Sequence, residues 1–444
     1  MDTNKKSDIK PSWVALLPLL LFLTLFIGTG FYLTAQNVDF AFYQLPAPIA
    51  ILPAIVLAIL LSKDKLNTAI SQFISGVSHP DIIGMCLIYL LAGAFAAVAK
   101  ASGGVDATVN LGLTLLPGWL ILPGLFLIAA FISTSMGTSM GTIAAIAPVA
   151  LGIAEKTGID PALMAGVVMS GAMFGDNLSI ISDTTIAATR SQGCEMKDKF
   201  RENFRIAFPA AVVAFTIFAF ANEATETPVV GDLDILAVLP YLTILGLAVY
   251  GVNVFVVLAL GIILAALAGF AGSGEFSAMT FGKTVYEGFS NMQEIFLLSL
   301  MIGGLAELMR RQGGLAFITQ KLNNLISGSG KKKESKKAGE LGIAALVSLT
   351  NVSTANNTVA IIVSGGVAKS LADDNSIDNK RSASLLDIFS CVVQGLLPYG
   401  AQALLLGSTF GLSPMEVVAH SWYCVLLAIS ALASVWITGK AKSN

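Results

Sequence analysis

The chain has 444 residues, 55% of them hydrophobic and only 12% charged, with a formal net charge of −2. A soluble domain carries about 25% charged residues because its surface must face water, so a soluble globular protein is excluded and a bilayer is the natural solvent. The net charge itself says little about partners, and no basic stripe or aromatic platform suggests nucleic acid.

Residues 1–11 carry Lys5, Lys6 and Lys10 and lead into an apolar run from Trp13 to Tyr32. A secretory signal has an apolar region of about 7–15 residues. This run is about 20, enough to cross a bilayer, and reads as an uncleaved first helix held amino-end-in by its lysines. Spans are predicted near 13–33, 46–62, 82–99, 206–221, 235–250, 253–270, 292–309 and 415–437. Four other apolar stretches are interrupted: 120–153 at residues 133–142, 161–188 at 175–185, 341–367 at 350–358, and 383–410 at 394–402. The pattern predicts an all-α polytopic membrane protein of about 12 membrane elements, some of them broken helices or re-entrant hairpins.

The interruptions recur in matching order, which predicts a duplication. Residues 93–104 match 303–314: both close a long span with a basic residue, Lys100 or Arg310, before Gly103-Gly104 or Gly313-Gly314. Upstream, Gly76-Val77-Ser78 matches Gly288-Phe289-Ser290. Repeat one then covers 12–221 and repeat two 234–437. Charge orients them. Lys63, Lys65, Arg190, Lys197, Lys199, Arg201, Arg205, Arg310, Arg311 and the basic loop 328–338 read as cytoplasmic by the positive-inside rule. The linker 222–233 carries Glu223, Glu226 and Asp232 with no Lys or Arg, which suits the outside. Lys100 is the exception, since it would face out. The two repeats are then inverted, both termini (1–11 and 438–444) are cytoplasmic, and the site belongs near the midplane, as in secondary transporters.

A break in a membrane helix leaves backbone groups unpaired, at several kcal/mol each in lipid, so breaks survive where they line a cavity or are buried in protein. All four breaks here are rich in Ser, Thr, Asn or Gly, and a hard cation such as Na+ prefers oxygen ligands. The segment 175–185 adds two carboxylates, Asp176 and Asp183, to Asn177, Ser179, Ser182, Thr184 and Thr185. An ionisable residue inside the membrane points to function, which places Na+ near Asp176 and Asp183. A solvated cytoplasmic loop is the bland alternative. The tandem Ser135-Met136-Gly137-Thr138 and Ser139-Met140-Gly141-Thr142 suits either ion binding or close packing through Gly137 and Gly141. From repeat two, Asn351, Ser353, Thr354, Asn356, Asn357 and Thr358 are expected to complete the site. The counterpart of the carboxylate segment holds Gln394, Tyr399 and Gln402 but no acid, so repeat one is expected to supply the charge. Glu307 is a secondary candidate; it, Asp387 and Lys369 read as lying nearer the membrane edges.

The string Phe174-Gly175-Asp176-Asn177-Leu178-Ser179-Ile180-Ile181-Ser182-Asp183-Thr184-Thr185 resembles the signature of the NhaC-type sodium/proton antiporter family, in the wider ion transporter superfamily. The resemblance extends through the tandem Ser-Met-Gly-Thr segment. It implies a bacterial inner-membrane carrier with inverted repeats, re-entrant hairpins and elevator-like movement. Some members are plain Na+/H+ antiporters, and others move organic solutes such as malate/lactate or amino acids. Here Asn177 stands where many members carry Lys, and Ile180-Ile181 replaces Pro-Leu, which removes a positive charge beside Asp176.

The expected function is secondary transport coupled to Na+ and/or H+, in the first place Na+/H+ antiport. The alternative is a Na+- or H+-coupled carrier of a small carboxylate or amino acid. Beyond membrane lipid, Na+, H+ and such a solute, a homodimer is the one other partner considered. An intramembrane aspartyl protease needs Gly-x-Gly-Asp, and Met173-Phe174-Gly175-Asp176 lacks the first glycine. A channel is a further alternative. No nucleotide-binding P-loop occurs. Cys86, Cys194, Cys391 and Cys424 form no CxxC pair and His79 and His420 stand alone, so no zinc, haem or other cofactor is expected, and Na+ is coupling ion or substrate.

Overall fold

The computed structural model describes residues 10–36, 38, 41, 44–115, 117–180, 182–221, 234–272, 276–327 and 336–438. The linker 222–233, most of the loop 328–338 and the outermost termini lie outside the described residues. The first half runs through α1 (Val14–Leu33), α2 (Ala47–Leu60), α3 (Leu66–Val77), α4 (Pro80–Ala101), α5 (Gly104–Leu115), α6 (Ile121–Met136), α7 (Ser139–Thr157), α8 (Pro161–Leu178), α9 (Asp183–Gln192) and α10 (Met196–Phe220). The second runs through α11 (Ile235–Val249), α12 (Val254–Gly272), α13 (Ala278–Asn291), α14 (Gln293–Arg311), α15 (Gly314–Ser327), α16 (Lys336–Thr354), α17 (Asn357–Asp374), α18 (Asn379–Leu396), α19 (Ala401–Phe410), α20 (Pro414–Ala419) and α21 (Trp422–Thr438).

Seven helices among the described residues are long and apolar enough to cross a membrane, or eight if the bent pair α13–α14 is one span. Leu60, Phe131, Phe220, Ile263 and Ile429 are exposed on their helices, a surface suited to acyl chains and not to water. The chain is an integral membrane protein. Two predicted spans change. The stretch 206–221 is the far end of the longer α10, and 415–437 divides at His420-Ser421 into α20 and α21.

The helix lengths repeat. Both α8 and α18 have 18 residues, and both α9 and α19 have 10. Asp160 and Asp378 cap the starts of α8 and α18, and Gly193 and Gly411 close α9 and α19 in the left-handed conformation. The paired glycines cross over: a Cβ on Gly76 of α3 would strike the Gly303 carbonyl of α14, and one on Gly93 of α4 would strike the Gly288 carbonyl of α13. Exchanging equivalent partners in this way is what a two-fold relation between the halves produces.

The four breaks are narrower than the polar runs that mark them. They fall at Gly137-Thr138, at Ser179-Ile180 with Ser182, at Ala355-Asn356 and at 397–400. Several of the Ser and Thr residues lie within the helices, where their hydroxyls are satisfied by bonding back to a carbonyl one turn earlier. Ser135 donates to Phe131 O, Thr142 to Thr138 O, Ser353 to Leu349 O and Thr354 to Thr350 O. The breaks of the two halves share one geometry. Gly137 (φ 71°) and Ala355 (φ 51°) are left-handed. Thr138 and Asn356 then cap α7 and α17 by accepting from Gly141 N and Val359 N.

Candidate functional site

α8 lies close on α6 through Gly171 and Gly175, four apart on one face, where a Cβ would strike Phe126 O and Ala130 O. Across this contact Ser133 Oγ donates to Ala172 O (2.6 Å). α8 stops when Ser179 turns extended (ψ 136°), and Ser182 caps α9. The hydroxyls of this break close on one another: Ser182 Oγ donates to Thr185 Oγ1 (2.9 Å), and Thr185 Oγ1 donates to Ser179 O (2.7 Å).

Asp176 stands third from the end of α8 and is 4% exposed. Ser139 Oγ, in the first turn of α7, donates to Asp176 Oδ2 at 2.8 Å. Gln402 Nε2 donates to Ser139 Oγ at 3.1 Å. Gln394 Nε2 donates to Gln402 Oε1 at 2.8 Å and to Ala355 O at 3.3 Å. A buried chain of hydrogen bonds thus runs from the carboxylate of one half to the breaks of the other. Gln394 is third from the end of α18, the position Asp176 holds in α8.

Around this chain is a cavity of about 470 Å³. Its lining includes Asp81, Thr138, Ser139, Asp176, Asp183, Thr184, Asn253, Asn356, Asn357, Thr358, Gln394 and Gln402. Three carboxylates face it, and no Lys, Arg or His among the described residues lines it. Asp183 is exposed at the start of α9, where the helix dipole favours an anion. Gln394 Oε1 is buried and accepts no hydrogen bond from the described residues.

The other sequence candidates lie off the cavity wall. Ser179, Ser182 and Thr185 are spent inside their break. Ser135, Thr142, Ser353 and Thr354 bond back to their helices. Asn351 Nδ2 donates to Ser390 O, and Tyr399 OH to Val352 O. Asn177 turns away toward Tyr423 and Met173 O. Glu307 is clamped by Arg310 and Arg311 beside a separate, small cavity.

Two expectations about charge are overturned. Asp387, read as lying nearer an edge, and Lys199, read with the cytoplasmic cations, are both buried inside the protein: their side chains are 0% exposed and pair at 2.9 Å. Lys199 Nζ also donates to Asn177 O (3.2 Å) and Thr185 Oγ1 (2.7 Å), and Asn203 Nδ2 donates to Asp387 Oδ2 (2.7 Å) and Asn177 O (2.8 Å). Repeat two therefore adds a buried acid, and Lys199 brings a positive charge against the backbone carbonyl of Asn177. A signal was present. Lys199 and Asn203 are in register with Ile206, Ala207, Ala210 and Ala214 on the buried face of α10. Asp81 and Asn253 were missed because each sits just ahead of an apolar run. Outside the spans, burial and the neighbouring Asp198 push the Cys194 thiol up to about 11.

Residues 12–222 match the model of the Na+/H+ antiporter family. The Na(+)/H(+) antiporter NhaC of Alkalihalophilus pseudofirmus is 25% identical over 78% of this chain and 80% of its own length. The malate-2H(+)/Na(+)-lactate antiporter of Bacillus subtilis is 24% identical over 90% of this chain and 91% of its own. Among solved structures, the Alcanivorax borkumensis YdaH transporter covers 96% of this chain and 98% of its own at 15% identity, with a TM-score of 0.46. The resemblance read from residues 174–185 is borne out, and the chain is a transporter, not an enzyme.

Proposed function

We propose that this chain, which belongs with the NhaC-type sodium/proton antiporters, exchanges Na+ for H+ at Asp176. The observation that carries the reading is a buried carboxylate at a helix break, held by one hydroxyl and facing a cavity lined by acids and amides without a base. Burial disfavours the charged form of a carboxylate and a cation favours it, so Na+ and H+ compete for the same group. Asp176, Ser139 and the amide oxygen of Gln394 offer the oxygen ligands a hard cation takes. Asp183 and Asp81 raise the local cation concentration at the mouth.

The halves 12–221 and 234–437 are read as inverted repeats in a bacterial cytoplasmic membrane, with the acidic linker outside and both termini inside. On that orientation the ends near Asp81 and Asn253 are cytoplasmic, and the cavity opens inward. A second cavity of about 360 Å³, lined by Asn291, Glu294 and Ser408, lies at the corresponding end of α14. Glu294 occupies the first turn of α14 as Asp81 does that of α4, and this cavity would face outward. Alternate opening of the two gives exchange.

The size of the cavity favours a second reading, a Na+-coupled organic-solute carrier. With three acids and no base in the lining, such a solute would carry a positive group, as an amino acid does. Na+-driven proton flux in proteoliposomes separates the readings, with Asp176→Asn and Asp183→Asn beside the parent. Flux in the parent without added solute, lost in Asp176→Asn, is expected. Solute uptake driven by Na+ with no solute-free proton flux would overturn exchange.

A further inference from the structure

We infer that the ammonium of Lys199 occupies a second cation site, as a cation tethered to the chain itself. The inference rests on the exchange reading for the first site, at Asp176. An ammonium has three donors, and those of Lys199 go to Asn177 O, Thr185 Oγ1 and Asp387 Oδ2 at 3.2, 2.7 and 2.9 Å. This is a backbone carbonyl at the carboxyl end of a broken helix, a hydroxyl across the break and a carboxylate from the other half. A bare monovalent cation would take the same oxygen set, and the carbonyl sits at the negative end of the α8 dipole. The set spans the break between α8 and α9 and ties both to α18, so whatever fills it fixes the geometry of the helix end that carries Asp176.

The surroundings agree. Asp387 Oδ1, Asn177 Oδ1 and Asn203 Oδ1 are buried and accept no hydrogen bond from the described residues. The cluster is therefore rich in oxygen acceptors around one positive charge, where an ordinary structural ion pair spends its remaining lone pairs on donors. Electrostatically, the pair leaves Asp176 as the one buried carboxylate of this site still needing a cation. Lys199 is thus a positioning residue that sets how many Na+ ions bind: one, not two.

The test is 22Na+ binding to the purified full chain at saturation. The parent is expected to bind one Na+, Lys199→Met two, and Lys199→Met with Asp387→Asn one again. Folded Lys199→Met that still binds one overturns the inference. Where Lys199→Met does not fold, Asp387→Asn decides. An unpaired ammonium beside the site weakens Na+ binding at least tenfold, and unchanged affinity overturns the inference. A parent that binds no Na+ overturns the exchange reading; a gain of one ion in Lys199→Met would then still support the tethered cation.

Discussion

The break after α8 and the break after α18 share one backbone and differ in chemistry. Each follows an 18-residue helix, precedes a 10-residue helix and carries its key side chain at the third-last position of the longer helix. In the first half that side chain is Asp176, and in the second Gln394. The duplicated frame brings both to the same cavity, but only one can exchange a proton. Gln394 instead hands hydrogen bonds through Gln402 and Ser139 to the acid. The same backbone geometry is thus supplied twice, with an ionisable side chain in one copy and an amide that hydrogen-bonds toward it in the other.

The comparison can be broken most severely by making the two halves alike. Asp176→Asn removes the charge while keeping the shape. With no ionisable group left at the end of α8 nothing there carries the proton, and a positioned proton-transfer group is worth about 100-fold or more, so Na+-driven proton flux in proteoliposomes should fall roughly 100-fold or more. Ser139→Ala should weaken Na+ binding by about ten- to a hundredfold in a titration, because a hydrogen bond to a charged group is worth about 1.5–3 kcal/mol. Gln402→Ala acts one step further away and should cost about three- to tenfold in the same titration, the worth of about one neutral hydrogen bond. Asp183→Asn touches an exposed carboxylate and should change Na+ affinity by less than about fivefold, as exposed charges are worth about 0–1 kcal/mol. A loss as large as that of Asp176→Asn would make the two aspartates a single site. The smallest effect concerns the paired left-handed residues. Ala355→Gly, which gives repeat two the residue of repeat one, should raise stability by about 1 kcal/mol, seen as a higher unfolding midpoint.

Much of the site was legible because its chemistry is local. Asp176 lies in an apolar stretch that no soluble loop would contain, and the polar breaks punctuate spans that otherwise run on. What could not be read was which polar groups turn toward one another. Ser135, Ser353 and Thr354 look like ion ligands but satisfy their own helices, a bond that any i−4 carbonyl offers. Lys199 looks peripheral because it lies among charged residues in sequence, and Asp387, flanked by Leu385-Leu386 and Ile388-Phe389, because it stands near the start of its apolar stretch. They are buried because α10 and α18 bring them face to face, 0% exposed at 2.9 Å.

Composition and periodicity by themselves determined a membrane protein, its broken helices, its duplication pattern and the acid at position 176. These follow from the cost of charge and unpaired backbone in lipid, which acts residue by residue along the chain. The tertiary structure alone decided that Gln394 and Gln402 reach Asp176 through Ser139, that Asp81 and Asn253 line the same cavity, and that Lys199 fills a cluster drawn from both halves. Those contacts join residues far apart in sequence, and a hydrogen bond or ion pair is set by distance in space, which the order of residues does not contain.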